Sequence, residues 1–239
     1  MSVPLIGGIG LTRVRVYAQR LGPDGCHGGS PHIHAITEEA YYVTAGRGWV
    51  ELHDETHGYR RVRLEPGTYV DFEPCVLHRL VNEEGLEVLG MMGNAGLAEA
   101  GDARIYFGAE VDADPARYAE NWGLAKRDGL AGALERRDRA VAAYRGLLHA
   151  WETDRPAYFA ELARFVRATL AAASEPERKT RFAQHIDAGP LAAGGRTQTR
   201  LARLPLSASL RTTRVQVETA TPALGMCGEL FTVLSPQPI

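Results

Sequence analysis

Short stretches in which apolar and polar residues alternate fill the first 95 residues of the chain. A period of two is typical of β-strands that bury one face. Turns rich in Gly, Pro and Asp separate these stretches, and such turns about every 8 to 12 residues indicate a small antiparallel barrel or sandwich. Strands are predicted at residues 11–19, 39–45, 49–53, 60–64, 69–72, 77–81 and 86–92, with a tight turn at Gly46, Arg47 and Gly48.

After residue 96 the apolar residues recur at helical spacing. Residues 130–151 carry them three, four or seven positions apart, and Asp154 and Pro156 then mark the start of a second helix over residues 157–173. Further helices are predicted at residues 116–126 and 177–186. The short link between the two main helices predicts an antiparallel helical hairpin. Its apolar stripe needs a cover in water, which the barrel or another subunit would provide.

The chain therefore divides into three predicted regions. Residues 1–95 form an antiparallel β-barrel, residues 96–186 form a helical extension packed on the barrel or on a dimer partner, and residues 187–239 form a C-terminal loop with a β-hairpin as one alternative. Within the last region, residues 187–200 are predicted to be a loop because they are rich in Gly and Thr. The predicted fold class is mainly β with a helical region (α+β).

The composition, with 45% hydrophobic and 23% charged residues among 239, is that of an ordinary soluble globular protein. The net charge of −2 argues against nucleic acid as a main partner. We expect no membrane association, since no apolar run approaches the length of a membrane-spanning helix and the N-terminus lacks a signal-peptide pattern. Cys26, Cys75 and Cys227 form no CxxC pair, which favours a reduced, cytoplasmic setting.

The candidate chemistry begins with two histidines in a strand-like segment. His32 and His34 stand one residue apart, so both side chains point to one face. Glu38 and Glu39 follow within a few residues. Two imidazoles and a carboxylate on one face are a common start of a divalent metal site. A further ligand is expected from a second strand-like run, where His78 is the candidate.

This arrangement resembles the first motif of the cupins, G(X)5HXH(X)3-4E(X)6G. His32 and His34 fill HXH, Glu39 fills the acidic position and Gly46 closes the motif, whereas Cys26 replaces the opening Gly. The spacing selects Glu39 rather than its neighbour as the ligand. Glu39 also shares strand parity with residues 41 and 43, which are expected to face inward.

The second cupin motif, G(X)5PXG(X)2H(X)3N, is present in part. Gly67, His78 and Asn82 are in register. Glu73 and Cys75 replace the Pro and the second Gly, and both departures fall in the turn before the histidine. The proposed ligand itself is therefore kept.

The resemblance covers roughly residues 10–95 and implies a single-domain metal-binding cupin with a helical C-terminal extension. The metal ligands that it implies are His32, His34, Glu39 and His78. Fe(II) is the favoured ion, and Mn, Ni, Cu or Zn are alternatives. The expected function is that of a mononuclear non-haem Fe(II) oxygenase acting on a small organic molecule. A redox-neutral isomerase or lyase is the first alternative, and a non-catalytic ligand-binding module is the second.

The oxygenase hypothesis assigns roles to four side chains. Glu39 is a base as well as a ligand, and Tyr41, which has the same strand parity, is a second catalytic candidate that points into the pocket. Arg47 and Trp49 are expected to shape the rim of a substrate pocket.

Other polar residues are expected to be solvated. The histidines outside the motifs, His27, His53, His57, His149 and His185, fit no ligand pattern. Arg136, Arg137 and Arg139 are expected on a solvated helix face, with an anionic partner as the alternative. A homodimer is expected, because the resemblance implies pairing through barrels and because the helical stripe needs a cover.

Overall fold

The computed structural model describes residues 5–204 and 215–233. Within these residues, ten strands form one antiparallel sheet. The strands are β1 (Gly10–Val16), β2 (His27–Gly28), β3 (His32–His34), β4 (Glu39–Asp54), β5 (Gly58–Leu64), β6 (Tyr69–Phe72), β7 (Leu77–Met92), β8 (Ala103–Ile105), β9 (Ala223–Leu224) and β10 (Gly228–Thr232). The helices are α1 (Ala109–Asp112), α2 (Pro115–Thr153), α3 (Arg155–Ala173), α4 (Pro176–Ile186) and α5 (Ala192–Ala202). The predicted fold class, α+β with an antiparallel barrel and a helical hairpin, is confirmed.

Strand β7 lies at the centre of the sheet. It pairs with β1 along one edge and with β4 along the other, and the sheet continues through β5 on one side and through β10 and β9 on the other. β2 and β3 also pair with β7, and β6 pairs with β4. Apolar side chains of β1, β4 and β7 meet in the barrel interior, where Tyr41, Val50, Leu80 and Val88 are fully buried.

Strand β4 runs through Gly46, Arg47 and Gly48 without a break, so the tight turn predicted there is wrong. Pairing with β7 continues on both sides, and the register shifts in this segment. Such irregularities bend a strand without ending it. Gly46 has a φ of 71°, and a Cβ there would meet the Gly85 carbonyl oxygen at 2.2 Å, so this bend requires glycine.

Helix α2 joins the two segments predicted at residues 116–126 and 130–151. The backbone departs from helical geometry at Asp128 and Gly129, which is where the sequence pattern is interrupted. Asp154 ends α2 and begins α3, and its side chain accepts a hydrogen bond from the Ala157 amide at 3.0 Å.

Residues 187–200 are helical, so the loop predicted there is wrong. A helical turn at Asp187–Leu191 leads directly into α5. The turn packs against the short helical turn Ile6–Gly8. Tertiary contacts of this kind override a weak local preference for loop.

The apolar stripe of α2 and α3 packs on the outside of the barrel. Ile33 of β3 and Leu77 of β7 form one cluster with Tyr144, Tyr158 and Phe165 of the hairpin. The stripe is therefore covered within the chain and gives no argument for a second subunit. The homodimer stays a prediction of the sequence.

His53 is fully buried between the barrel and the hairpin, which corrects the expectation that it is solvated. Its Nδ1 lies 2.8 Å from the Tyr158 hydroxyl, and its Nε2 lies 2.5 Å from the Tyr144 hydroxyl. The bends in β4 shift its alternation, so Val50 and Leu52 face the barrel interior whereas His53 faces the helices.

Strands β9 and β10 form a hairpin that returns to the barrel. β10 pairs with β1, and its Gly228 lies opposite Val16. Of the two predicted alternatives for the C-terminal region, the hairpin is the one observed within residues 215–233, whereas residues 205–214 and 234–239 lie outside the described residues.

Strand β8 also joins the sheet, because it pairs with β3. The sheet therefore includes residues beyond 95, and the division of the chain into three regions stays a prediction. Among the described helices, none is long and apolar enough to cross a membrane.

Candidate metal centre

Strand alternation and pairing bring the predicted ligands together. In β3, His32 and His34 face the barrel interior, whereas Ile33 between them faces the helical hairpin. β3 pairs with β7 so that His32 lies directly opposite His78. Glu39 is the first residue of β4 and is buried, while its neighbour Glu38 is exposed. The choice of Glu39 over Glu38 therefore agrees with the burial of the two side chains.

The four side chains converge on one point. Nε2 of His78 lies 3.0 Å from Nε2 of His32 and 3.1 Å from Oε2 of Glu39, and Nε2 of His34 lies 3.4 Å from the same oxygen. One candidate ligand atom from each of these residues lies within 4.8 Å of all the others, and all four residues are buried. We call His32, His34, Glu39 and His78 the His/Glu cluster.

The outer nitrogen of each imidazole has an acceptor. Nδ1 of His32 lies 2.9 Å from the Ser30 carbonyl oxygen, and Nδ1 of His78 lies 3.0 Å from the carbonyl oxygen of residue 76. Nδ1 of His34 lies 3.0 Å from Oδ2 of Asp102. An Nδ1–H that donates to such an acceptor leaves the Nε2 lone pair free, and this pattern surrounds most metal-binding histidines.

The polar atoms inside the His/Glu cluster fit a divalent metal ion. Among the residues that the structure describes, Oε2 of Glu39 is buried and has no hydrogen-bond partner. The Nε2 lone pairs of His32 and His78 face each other at 3.0 Å, which is unfavourable unless a cation lies between them and Glu39. Imidazole and carboxylate ligands suit the divalent ions of the first transition series. The His/Glu cluster could therefore hold one metal ion.

The protonation states of Glu39 and His32 suit metal binding as well. Burial alone would raise the pKa of Glu39, but the adjacent His78 and His34 lower the pKa to about 2. Burial, together with the neighbouring His78 and His34, lowers the pKa of His32 well below its usual value. Glu39 is therefore ionised and His32 is neutral near pH 7, which are the states in which each binds a metal. Against the effect of burial, the hydrogen bond to Asp102 and the charge of Glu39 raise the pKa of His34.

Asp102 contacts the His/Glu cluster, and the sequence motifs do not contain it. It ends the helical turn Ala98–Asp102 that precedes β8, and it is almost fully buried. Its Oδ2 accepts from His34, and its Oδ1 accepts from the Ile36 amide at 2.8 Å. Asp102 thus fixes the ring of His34, but it lies 68 residues away in the chain, so no local spacing signals its role.

A cavity of about 250 Å³ adjoins the His/Glu cluster. His32, His34 and Glu39 line it together with side chains from β1, β10 and α2. Much of the lining is apolar, including Val14, Met92, Trp122, Met226 and Leu230. A cavity of this size and character suits a small organic molecule.

Cys227, for which the sequence predicted no role, also lines this cavity. It lies in the turn between β9 and β10, and its Sγ is 3.6 Å from Nε2 of His32 and 3.7 Å from the Tyr41 hydroxyl. Burial raises the pKa of the Cys227 thiol. Tyr41 is fully buried in the barrel core and is not among the described residues that line the cavity. The structure thus places Tyr41 behind Cys227, and the expectation that it points into the pocket is wrong.

Arg47 and Trp49 lie away from the His/Glu cluster, so the structure corrects their assignment to a substrate pocket. Arg47 is exposed and forms an ion pair with Glu84. Trp49 donates through Nε1 to Glu83 at 2.6 Å, and the guanidinium of Arg63 stacks over its ring at 4.9 Å. The bends in β4 carry this segment to the outer surface of the sheet. Neither Arg47 nor Trp49 is among the described residues that line the cavity.

Two of the three arginines expected on a solvated helix face are buried, which corrects that expectation. Arg137 is fully buried, pairs with Asp138 and donates to the carbonyl oxygens of Gly28 and Arg20. Arg136 is 6% exposed and lines the cavity. Only Arg139 of the three is exposed. α2 buries this face because it packs against the loop before β2 and the β9–β10 turn.

Of the other histidines expected in solvent, His57 and His149 are exposed, and His27 and His185 are partly buried.

Comparison with known proteins gives likenesses of fold alone. No family model matches the chain, and no curated protein matches it by sequence. Similar solved structures include an uncharacterized conserved protein with a double-stranded β-helix domain from Klebsiella pneumoniae subsp. pneumoniae, at 13% identity over 43% of this chain and 77% of that chain, with a TM-score of 0.32. A cupin protein from Bacteroides fragilis matches at 18% identity over 40% of this chain and 78% of that chain, with a TM-score of 0.29. A structure of the DMSP lyases RdDddP and RnDddQII matches at 25% identity over 34% of this chain and 38% of that chain, with a TM-score of 0.28.

The barrel and its buried ligands define the class of protein. The antiparallel sheet, the HXH segment in β3 and the register that places His32 opposite His78 give the chain a cupin-type fold. The His/Glu cluster fits a cupin metal site.

Proposed function

We propose that the chain is a metal-dependent enzyme that acts on a small organic molecule in the cavity beside the His/Glu cluster. The convergence of four buried ligand atoms, three of them from residues that line that cavity, carries the proposal, together with Oε2 of Glu39, which has no partner among the described residues. A purely structural cluster would satisfy that oxygen with a protein donor.

The ligand set limits the choice of chemistry. A divalent ion held there would polarise a substrate oxygen and, in the case of iron, would also activate O₂. Two histidines and a carboxylate are the ligands that non-haem Fe(II) oxygenases use, and the His/Glu cluster contains this set with one further histidine. We therefore favour a mononuclear Fe(II) oxygenase. A redox-neutral isomerase or lyase that uses Mn, Ni, Cu or Zn is the alternative that the experiment below distinguishes.

Two side chains have proposed roles, one in the reaction and one in positioning the groups of the site. Glu39 lines the cavity, and its carboxylate is the group that would accept a proton from a bound substrate. Tyr41 acts as a positioning residue, since its hydroxyl lies 3.7 Å from Cys227 Sγ and close to Glu39 but does not line the cavity. The apolar side chains around the cavity limit water near both groups.

Metal content and oxygen uptake, measured on the same preparation, test the proposal. The protein is purified without chelators, assayed for metals by mass spectrometry, and reloaded with Fe(II) under anaerobic conditions. Oxygen uptake is then followed against small acids, catechols and diketones. Iron-dependent uptake with one substrate class supports the oxygenase. Turnover of a substrate without oxygen uptake, in the presence of Mn, Ni, Cu or Zn, supports the isomerase or lyase, and a chain that binds no metal contradicts both.

A further inference from the structure

Arg136 of α2 is a buried cation, and none of the residues that the structure describes supplies a counter-ion to it. Its side chain is 6% exposed, and Nη2 donates to the Gly225 carbonyl oxygen at 2.7 Å. Nε is buried and has no acceptor among the described residues. No carboxylate of the described residues lies within ion-pair distance of this guanidinium, and the residues outside the described ranges contain no Asp or Glu.

Among the described residues, Arg79 and Arg137 are also buried, and each has the carboxylate counter-ion that Arg136 lacks. Arg79 pairs with Asp24 at 2.7 Å and with Glu51 at 3.4 Å, and Arg137 pairs with Asp138 at 2.5 Å. A buried charge without a partner destabilises the fold, so a folded chain retains one where a ligand completes it. Burial lowers the pKa of Arg136, in keeping with an environment that disfavours its charge until an anion arrives.

Arg136 and the His/Glu cluster share one cavity. The guanidinium is held by the β9–β10 turn through Gly225, and two residues later the same turn carries Cys227, whose Sγ is 3.6 Å from Nε2 of His32. The cavity of about 250 Å³ is lined by Arg136, Cys227, His32, His34 and Glu39. One small molecule can therefore reach the guanidinium with one end and the His/Glu cluster with the other.

We infer that the cavity binds a small organic carboxylate whose anionic group pairs with Arg136, while a second oxygen of the same molecule faces the His/Glu cluster. The planar guanidinium presents paired donors that match a carboxylate. The inference rests on the proposed function for its reactive end, because that end needs a metal ion. It adds the substrate class and a specificity-determining residue that no cupin motif contains.

Isosteric pairs of carboxylates and carboxamides test the inference. The probes are acetate and acetamide, benzoate and benzamide, and 3,4-dihydroxybenzoate and 3,4-dihydroxybenzamide, and binding is measured by calorimetry and by the thermal unfolding midpoint of the Co(II)-loaded protein. We expect at least one carboxylate to bind on the order of tenfold or more tightly than its amide. The ratio is expected to fall to about one in Arg136→Gln and to persist in part in Arg136→Lys.

The control variant is Arg139→Gln, which removes a charge from the exposed side of the same helix. It is expected to keep the wild-type ratio. Circular dichroism and cobalt content of each variant show whether the fold and the His/Glu cluster are intact, and Arg136→Lys supplies the comparison if Arg136→Gln does not fold. A wild-type protein in which no carboxylate exceeds its amide overturns the inference, as does a preference that Arg136→Gln retains.

Failure of the metal-dependent function and failure of the anion site at Arg136 would give different results in this experiment. If the wild-type protein takes up no Co(II), the metal-dependent function is lost, and the acetate and benzoate pairs are then measured on the metal-free chain. A preference for the carboxylates that depends on Arg136 keeps the anion site without the metal chemistry. Equal binding of both members of each pair removes the anion site as well.

Discussion

His32 and His78 lie directly opposite each other on β3 and β7, and their Nε2 atoms are 3.0 Å apart. Each ring directs Nδ1 at a backbone carbonyl, at 2.9 Å and 3.0 Å respectively. The two Nε2 lone pairs therefore point at each other between two buried side chains. Strand pairing imposes this geometry. The two lone pairs repel each other when no cation is present, and both nitrogens would become ligands if one cation bound there.

Asp102→Asn should weaken metal binding without emptying the site. The amide keeps an oxygen for the Ile36 amide, but its NH₂ cannot accept the Nδ1 proton of His34. Loss of such an outer partner typically costs about ten- to hundredfold in metal affinity. Competition with a chelator gives the dissociation constant for Co(II). Asp71→Asn, an exposed change on β6, is the matched control, and an unchanged constant in Asp102→Asn would show that Asp102 does not act through His34.

Tyr41→Phe should keep the metal and slow turnover. The substitution preserves the buried ring and removes the hydroxyl that lies 3.7 Å from Cys227 Sγ. We expect kcat to fall on the order of tenfold or more with little change in KM, since the hydroxyl positions groups of the site and does not line the cavity. Tyr42→Phe, which changes the exposed neighbour, should match the wild type. Equal loss in both variants, or loss of metal in Tyr41→Phe, would refute a positioning role.

Phe165→Ala should destabilise the protein far more than Phe159→Ala. Phe165 is fully buried between the hairpin and the barrel, whereas Phe159 on the same helix is 38% exposed. Truncation of a buried Phe costs about 3–5 kcal/mol, and the exposed change should cost about 1 kcal/mol or less. Urea unfolding measures both. Similar small losses in the two variants would mean that the hairpin is not packed on the barrel as described.

His53 should make the protein less stable as the pH falls below about 6.5. Burial lowers the pKa of His53 to about 3, whereas the unfolded chain has the ordinary value, so only the unfolded state takes up a proton between these values. The free energy of unfolding should fall by about 1.4 kcal/mol per pH unit in this range because of this one group.

The pH dependence is measured by urea unfolding of wild type and His53→Gln at pH 7.5, 6.5, 5.5 and 4.5. The variant should lose less stability on acidification than the wild type, whatever its stability at pH 7.5. His149→Gln, an exposed change on α2, should retain the wild-type loss. Parallel pH curves for wild type and His53→Gln would contradict a neutral, buried His53.

The convergence of the four residues in the His/Glu cluster could be predicted because local rules determine the directions of their side chains. Alternation along β3 puts His32 and His34 on one side, and parity with residues 41 and 43 separates Glu39 from Glu38. His78 follows from the spacing of the second motif. The barrel strands and the helical hairpin could be predicted for the same reason, since their periodicities are local.

The remaining residues of the site come together only through the tertiary fold. Asp102 is hydrogen-bonded to His34 although 68 positions of the sequence separate them, and Cys227 Sγ lies beside His32 although 195 positions separate them. The burial of Arg136 depends on the β9–β10 turn that covers it, and helix composition alone predicts a solvated face. The prediction that Arg47 lies at the pocket is wrong because β4 is irregular at this segment. The position of a β-bulge follows no sequence periodicity, so a sequence pattern does not reveal it.

Metal content of the purified wild type and of His78→Ala is the most direct test of the metal centre. His78 contacts both His32 and Glu39, so its loss removes the centre of the ligand set. His149→Ala serves as the control for an exposed histidine. After incubation with Fe(II) and desalting under anaerobic conditions, we predict about one metal ion per chain in the wild type and the control. His78→Ala should retain clearly less metal, with its circular dichroism spectrum unchanged, because one of the four ligands is lost. Full occupancy in His78→Ala, or an empty wild-type protein, would contradict the metal centre.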